Sequence, residues 1–210
     1  MGDNHGIIPL CDKSGLIAGK SEIKEVISVI DKSKITIRPE KPSEYEKVND
    51  IIYRAFSEQH GTGIGNFMME HFINERQKET FIPELSLVAV LEDGVIVGEV
   101  ALHETDIITE NGKNTQLVLS QSAVLPEYRG QGIMRMLVEE ALRKAEQLGY
   151  GAVFLGGNPD LYARYGFEPS CKYGIYHKNR LIWGDEGYMV HILRPGALDG
   201  ITGLTSYYGG

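Results

Sequence analysis

The chain has 210 residues, a formal net charge of −8 at pH 7 and only two cysteines, Cys11 and Cys171, without metal-ligand spacing. A chain of this length buries about 70% of its unfolded surface, so its core needs neither disulfides nor a metal, and none is expected. The acidic charge argues against nucleic-acid binding, and the lack of a signal peptide or of an apolar run of ~20 residues predicts a cytoplasmic protein without a membrane partner.

The first third of the chain predicts an appendage followed by one strand and two helices. Residues 1–34 form the appendage, in which "SEIKEVISVIDKSK" has helical spacing, and residues 35–210 are interpreted as a single domain. "ITIRP" predicts the first strand, and "EYEKVNDIIYRAF" a helix with Ser43 as N-cap and Glu46 at capping-box distance. "SEQHGTGIG" is expected to be a flexible loop before a second helix in "GNFMMEHFINERQKET".

The middle of the chain predicts an antiparallel meander. Asp93-Gly94 separates two β-branched runs, which is the strongest short-range hairpin signal, and "ENGK" repeats the turn before "TQLVLSQSAVL". A helix then starts at Gly132, with an apolar face that comprises Ile133, Leu137, Ala141, Ala145 and Leu148, and it stops at Gly149. "GAVFLGG" should be a buried strand parallel to the one before the helix, and "YGIYH" and "YMVHIL" could add strands.

The turn between that strand and helix predicts an anion site. Arg129, Gly130 and Gly132 precede a helix N-terminus, whose free N–H groups and dipole favour a phosphate group. The dinucleotide pattern G-x-G-x-x-G fails because Arg135 stands at its third glycine. "GLIAGKS" has one spacer too few for the G-x-x-x-x-G-K-[ST] phosphate loop. A glycine loop that merely enters a helix is the alternative.

Two motifs in this order resemble the GNAT superfamily of N-acetyltransferases. "VLPEYRGQGIMRMLV" is similar to its acetyl-coenzyme A motif, [QR]-x-x-G-x-[GA], with Arg129 and Gly132 in place and Met134 where the family prefers Gly or Ala. "LYARYGFEPS" resembles the second motif. The stretch "LGGNPDLYARYGF" and the ending "HILRPGALDGITGLTSYYGG" resemble a bacterial branch of uncharacterised predicted acetyltransferases. That branch usually has an acidic residue where this chain has Asn158.

The resemblance implies an acetyl-coenzyme A site at these motifs, with no metal. The coenzyme is expected to lie along the end of a strand, at Val124 and Leu125, and its pyrophosphate on the turn that follows. Asn158 is a candidate contact to the pantetheine arm. The turn residues implied in pyrophosphate binding are Arg129, Gly130, Gln131, Gly132, Ile133, Met134 and Arg135.

The family chemistry is attack of an amine on the thioester, which needs an acid for the leaving thiolate and a base for the amine. By resemblance Tyr162 is the acid, and its alternative role is packing the second motif against the sheet. Glu99 shares a strand face with His103, whereas Glu104 points away, so Glu99 is the candidate base; its alternative is a solvated strand residue. Recognition of the acceptor is expected from the "SEQHGTGIG" loop and the C-terminal residues.

The sequence thus predicts an α/β (α+β) fold, a GNAT-like mixed and largely antiparallel sheet with helices on both faces. The expected function is transfer of an acetyl group from acetyl-coenzyme A to a primary amine of a small molecule or peptide in a ternary complex. The alternative is a non-catalytic coenzyme A sensor that keeps the turn and does not depend on Tyr162. The sequence does not choose between a stress or antibiotic-modifying enzyme and an enzyme that modifies protein N-termini, and it leaves a homodimer open.

Overall fold

The structure is a computed structural model that describes residues 30–206, so most of the helix predicted within residues 1–34 lies outside the described residues. Within the described part, a nine-stranded sheet carries helices on both faces. The strands are β1 (Thr36–Pro39), β2 (Phe81–Val90), β3 (Ile96–Thr109), β4 (Gly112–Val124), β5 (Ala152–Gly156), β6 (Glu168–Pro169), β7 (Ile175–His177), β8 (Tyr188–Ile192) and β9 (Gly203–Thr205). The helices are α1 (Tyr45–His60), α2 (Thr62–Glu75), α3 (Ile133–Gln147), α4 (Pro159–Tyr162) and α5 (Arg180–Gly187).

The sheet is mixed and largely antiparallel, as predicted. Its main order is β1-β2-β3-β4-β5-β8-β6, and only β4–β5 and β7–β9 pair in parallel. The Asp93-Gly94 hairpin is confirmed: Gly94 has a φ of 85°, and Asp93 Oδ1 accepts a hydrogen bond from the Val95 N–H at 3.1 Å. The parallel crossover from β4 through α3 to β5 is confirmed as well. Over residues 30–206 no helix is both long and apolar enough to cross a membrane.

Each face of the sheet has its own apolar core. On one face α3 buries Ile133, Leu137, Ala141 and Ala145, together with Val138, among side chains of β2, β3 and β4. On the other face α1 and α2 pack Val48, Ile51, Ile52, Ala55 and Phe72 against the same strands. Leu148, expected on the buried face of α3, is instead 50% exposed because it caps the helix C-terminus.

The expected flexible loop "SEQHGTGIG" does not exist as a loop. Helix α1 continues to His60, α2 starts at Thr62, and Gly61 alone joins them. Gly65 lies within α2, where it faces α1. The position requires glycine because a Cβ there would come within 2.0 Å of Ser57 Oγ and 2.7 Å of the Tyr53 carbonyl oxygen in α1. The several glycines of this stretch suggested a loop, but Gly65 instead permits a close crossing of two helices.

The start of α1 also differs from the prediction. Residues Pro42–Glu44 form a 3₁₀ turn before the helix, so Ser43 is not its N-cap. The Glu44 side chain accepts hydrogen bonds from the Arg38 guanidinium at 2.6 and 2.8 Å and from the Lys41 N–H at 2.9 Å. The ion pair with Arg38 holds the pKa of Glu44 down at about 2.

A buried ion pair ties α2 to the sheet. The Arg76 guanidinium donates to both Glu40 carboxylate oxygens at 3.0 and 2.9 Å, and to Asn49 Oδ1 in α1 at 2.6 Å. Ser86 Oγ in β2 donates to the same Glu40 carboxylate at 2.7 Å, and the guanidinium stacks over the Phe72 ring at 4.2 Å. Both charged side chains are almost fully buried, so removing one partner leaves the other uncompensated.

We expect Arg76→Ala to lower the free energy of unfolding by about 3–5 kcal/mol, because it leaves the Glu40 carboxylate buried without its positively charged partner. Chemical denaturation monitored by circular dichroism measures this. The control is Arg54→Ala, which breaks a half-exposed pair with Glu127 and should cost less than about 1 kcal/mol. Equal, small effects of the two variants would contradict the structural role given to Arg76.

Candidate functional site

A pocket opens where β4 and β5 separate. The two strands pair only at Leu117↔Val153 and Val118↔Phe154, after which β4 runs on to Val124 with β3 alone. The register with β3 skips Ser120, which forms a bulge in β4, and bulges bend the strand that carries them. The resulting cavity has a volume of about 800 Å³, and residues 119–124 form one wall of it.

The turn after β4 forms a second wall with the properties of an anion site. Gly130 and Gly132 have φ values of 74° and 84°, in the left-handed region that glycine tolerates. Gly132 is the N-cap of α3, and the first turn of α3 contains no acidic residue. The first N–H groups of the helix have no intrahelical acceptor, and the positive end of the helix dipole lies at the same place.

Arg129 holds this turn in position. Its guanidinium donates to the Val124 carbonyl oxygen at 3.2 Å and to the Ala55 carbonyl oxygen of α1 at 2.8 Å, and it forms an ion pair with Glu58. Three contacts within the protein engage the guanidinium, so Arg129 fixes the turn between β4 and α1. These contacts support a role for Arg129 in fixing the conformation of the turn.

Tyr162 lies at the far side of the pocket, at the end of the short helix α4. Its ring packs edge-on against Tyr165 and Phe167, with centroid separations of 6.2 and 5.9 Å. A Cβ on Gly157 would lie 2.5 Å from the ring, so glycine lets the ring lie on the backbone. Burial raises the pKa of Tyr162, a hydrogen bond with Ser122 of β4 lowers it, and the neighbouring Tyr165 and Glu99 raise it further. The phenol therefore stays protonated at neutral pH.

Eight of the twelve residues singled out from the sequence line this pocket. They are Val124, Arg129, Gly130, Gly132, Ile133, Met134, Arg135 and Tyr162. Ile133 is fully buried in the core, whereas Arg135 is exposed; its guanidinium pairs with Glu139 at 3.2 Å and donates to the Arg164 carbonyl oxygen at 3.4 Å.

The other four lie beside the pocket. Leu125 is buried under α1, its N–H donates to the Val97 carbonyl oxygen, and its carbonyl oxygen accepts from Tyr128. Gln131 Oε1 accepts from the Ile30 N–H at 3.0 Å. Asn158 is the N-cap of α4, where its side chain accepts from the Asp160 N–H at 2.9 Å.

Glu99, the fourth, is 1% exposed, and no hydrogen bond of its carboxylate is found within the described residues. Burial raises the pKa of Glu99 well above its ordinary value of 4.5, the Glu40 carboxylate raises it further, and Arg76 opposes them. Gln121, which lines the pocket, is paired with Ala101 on the same strand face, so it lies diagonally across from Glu99. The alternative role of a solvated strand residue is wrong, because α1 and α2 cover this face.

Some pocket residues belong to no motif in the sequence. Phe56, Phe67 and Met68 of α1 and α2 and Trp183 of α5 also line the pocket. The first three lie in segments predicted only as helices, and no structure was predicted for the segment around Trp183. Gly156 approaches the Trp183 indole so closely that a Cβ would lie 2.2 Å from it. In the sequence, the glycine pair Gly156 and Gly157 at the end of β5 is the feature that could have indicated aromatic rings packed against the backbone there.

Glu99 should make the stability of the protein fall as the pH rises. Its folded pKa is raised, so between the ordinary value of 4.5 and the folded value the native state holds a proton that the unfolded chain has lost. Glu99→Gln removes this penalty, so we expect the variant to be more stable than the parent at pH 7 and equally stable near pH 4. Thermal unfolding from pH 4 to 8 measures the difference. A stability difference independent of pH would contradict the assignment.

Comparison with known proteins agrees with this geometry. A family model described as an acetyltransferase (GNAT) domain matches residues 36–170. The chain is 32% identical over 175 residues to the uncharacterized N-acetyltransferase YhbS of Escherichia coli (strain K12), which covers 82% of this chain and 95% of that protein. It is 30% identical over 112 residues to the uncharacterized N-acetyltransferase YjhQ of the same strain, over 53% and 55% of the two chains.

Solved structures show the same fold. The crystal structure of YhbS from Escherichia coli in complex with CoA superimposes with a TM-score of 0.69 at 28% identity and covers 82% of this chain and 89% of that chain. A GNAT acetyltransferase from Brucella melitensis in complex with acetyl-CoA has the same fold at 21% identity, with a TM-score of 0.61 and coverage of 82% and 95%. The match of the family model over more than half of the chain, with the two motifs at one pocket, identifies the chain as a member of the GNAT acetyltransferase family.

Proposed function

We propose that the protein transfers the acetyl group of acetyl-coenzyme A to a primary amine by direct attack within a ternary complex. The observation that carries the proposal is that the α3 turn, the β4 strand end and Tyr162 line the same pocket. A relative 28% identical is solved with CoA, which supports the choice of coenzyme. Among residues 30–206 no group of three or more acidic, histidine or cysteine side chains is arranged to hold a metal.

The coenzyme would lie along the open edge of β4. Its pyrophosphate would accept hydrogen bonds from N–H groups of the Gly130–Arg135 segment, at the positive end of α3. The pantetheine arm would follow residues 119–124 on the side from which β5 has separated. Met134 contributes through its backbone, so its larger side chain, which packs on the core, does not obstruct binding. Arg129 would contribute by fixing the turn, and Leu125 by fixing the end of β4. Gln131 would stabilise the first motif and Asn158 the second, each through its own hydrogen bond.

Transfer forms one C–N bond and breaks one C–S bond. The neutral amine attacks the thioester carbonyl carbon, and a backbone N–H of β4 stabilises the oxyanion. The thiolate leaves and takes the proton of the Tyr162 hydroxyl, which is present because the pKa of this phenol lies above its ordinary value of 10.0. The hydrogen bond with Ser122 orients the hydroxyl along β4.

Glu99 is the proposed acceptor of the amine proton. Its buried carboxylate lies beneath the wall that Gln121 lines, and its raised pKa makes the ionised form a stronger base toward an ammonium group. The proton would pass to it from the pocket through an intervening polar group or water. Turnover should consequently rise with pH as Glu99 ionises.

The acceptor would enter past an apolar rim. Phe67 of α2 and Ile182 of α5 both line the pocket and remain exposed, at 62% and 47%. The net charge of −8 favours the approach of a cationic amine. The proposed acceptor is therefore a primary amine with an apolar portion, and a cytoplasmic location stays a prediction from the sequence.

Tyr162→Phe should lower the turnover number by roughly 100-fold or more, because the thiolate then leaves without a proton donor. The dissociation constant for acetyl-coenzyme A should change little. Thiol release across a panel of small amines and peptides measures the first quantity, and calorimetric titration the second. Tyr165→Phe removes a hydroxyl from the same turn and should retain far more activity. Full activity of Tyr162→Phe would exclude the acid role.

Gly132→Glu should raise the dissociation constant for coenzyme A by roughly 100-fold, because a carboxylate would occupy the position of the pyrophosphate. The matched control is Gly94→Glu, at a residue with a similar φ of 85° but open space around it, on the β2–β3 turn. The backbone strain from a positive φ is similar in the two variants, so a loss of affinity confined to the first reports on the site. If Gly132→Glu binds the coenzyme normally, the anion site is misassigned. Binding by the parent without thiol release on any amine would favour the sensor alternative.

A further inference from the structure

Residues 30–35 lie across the α3 turn and are held there by several contacts. The Ile30 N–H donates to Gln131 Oε1 at 3.0 Å, and the Ile30 side chain packs on the α3-side core. Asp31 caps the 3₁₀ turn Lys32–Lys34 by accepting from the Ser33 N–H. Lys34 pairs with Glu92 at 2.8 Å, and Ile35 is buried. The segment therefore has a defined position relative to the pocket.

This segment brings the Lys32 ammonium to the turn. A Cβ built on Gly132 would lie 2.9 Å from Lys32 Nζ and 3.3 Å from Lys32 Cε. The ammonium thus occupies the space beside the glycine that precedes α3, where the free N–H groups of the helix begin. Nothing in the spacing of the sequence linked Lys32 to a turn 100 residues away (132 − 32 = 100).

The positive charges around the turn before α3 favour the binding of an anion. A cation at a helix N-terminus is repelled by the positive end of the dipole, and the first turn of α3 has no acidic residue to offset it. Arg135 adds a second positive charge to the pocket lining. No carboxylate of residues 30–206 forms an ion pair with Lys32. A phosphate between the ammonium and the N–H groups would be attracted by both.

We propose that Lys32 is a coenzyme-binding residue, whose ammonium pairs with the pyrophosphate of coenzyme A on the side opposite the α3 N–H groups. The inference rests on the proposed function, because it needs the coenzyme at this turn. It assigns a binding role to the segment that precedes β1, which the two motifs do not include. The pyrophosphate would then be enclosed by backbone donors from one side and a charge from the other.

The test is calorimetric titration of the full chain with coenzyme A and with dephospho-coenzyme A, which lacks the 3′-phosphate and keeps the pyrophosphate. Lys32→Ala should raise the dissociation constants of both about tenfold, the typical loss for one contact to a charged group. Lys32→Arg, which keeps the charge, should restore most of the affinity. The dependence of affinity on salt concentration should weaken in Lys32→Ala, because one ion pair is lost.

Lys34→Ala is the control, since it removes an equal charge from the same 3₁₀ turn while breaking only the exposed pair with Glu92. It should leave both dissociation constants unchanged. Normal binding by Lys32→Ala, an equal loss in Lys34→Ala, or a loss confined to coenzyme A with its 3′-phosphate would each overturn the pyrophosphate assignment. Failure of the parent protein to bind either ligand would instead overturn the proposed function itself. Melting temperatures of all variants separate these results from unfolding.

Discussion

The separation of β4 from β5 is the constraint on which the rest of the site depends. At the start of β5 the strands are held together: Gln116 Oε1 accepts from the N–H groups of Gly151 and Ala152 at 3.1 and 2.9 Å. Beyond Val118 they diverge where β4 bulges at Ser120, while β5 stays paired with β8 along its other edge from Ala152 to Gly156. A regular parallel pair would have filled this space with ladder hydrogen bonds. The gap instead leaves one edge of β4 facing a cavity, next to the helix whose N-terminus attracts anions.

The same arrangement leaves polar atoms without partners in the interior. Neither carboxylate oxygen of Glu99 nor either amide atom of Gln121 has a hydrogen-bond partner within the described residues, and both side chains are almost fully buried. Such groups destabilise a fold by about 1–3 kcal/mol each, so they are uncommon where packing alone decides the sequence. A substrate amine or water in the pocket would supply what the protein does not. In the buried Arg76–Glu40 pair on the same face, by contrast, both carboxylate oxygens accept hydrogen bonds from the guanidinium.

How far the sequence predicted the molecule depended on the range of the interactions involved. The Asp93-Gly94 hairpin, helix α3 and the parallel β5 follow from local turn chemistry and periodicity, and all three were predicted. The boundary between α1 and α2 was not, because Gly65 was read as a loop residue and instead permits a helix crossing at Ser57. The alternative of a solvated Glu99 is wrong: helices on both faces were predicted, but strand alternation does not reveal which strand residues those helices cover. The approaches of Trp183 to Gly156 and of Lys32 to Gly132 join residues far apart in the chain, and no local pattern encodes them.

Strand β9 inserts between β3 and β7, and this has a consequence for how the chain folds during synthesis. Ile107 of β3 pairs with Thr205, which is made 98 residues later (205 − 107 = 98), and the Thr205 carbonyl oxygen accepts from the Lys178 N–H at 2.7 Å. Until β9 emerges, the outer end of β3 exposes an unpaired strand edge, the kind of surface that recruits other chains. The outer end of β3 therefore lacks its partner until the C-terminal part of the chain has been made, and during that interval its exposed edge can pair with other chains.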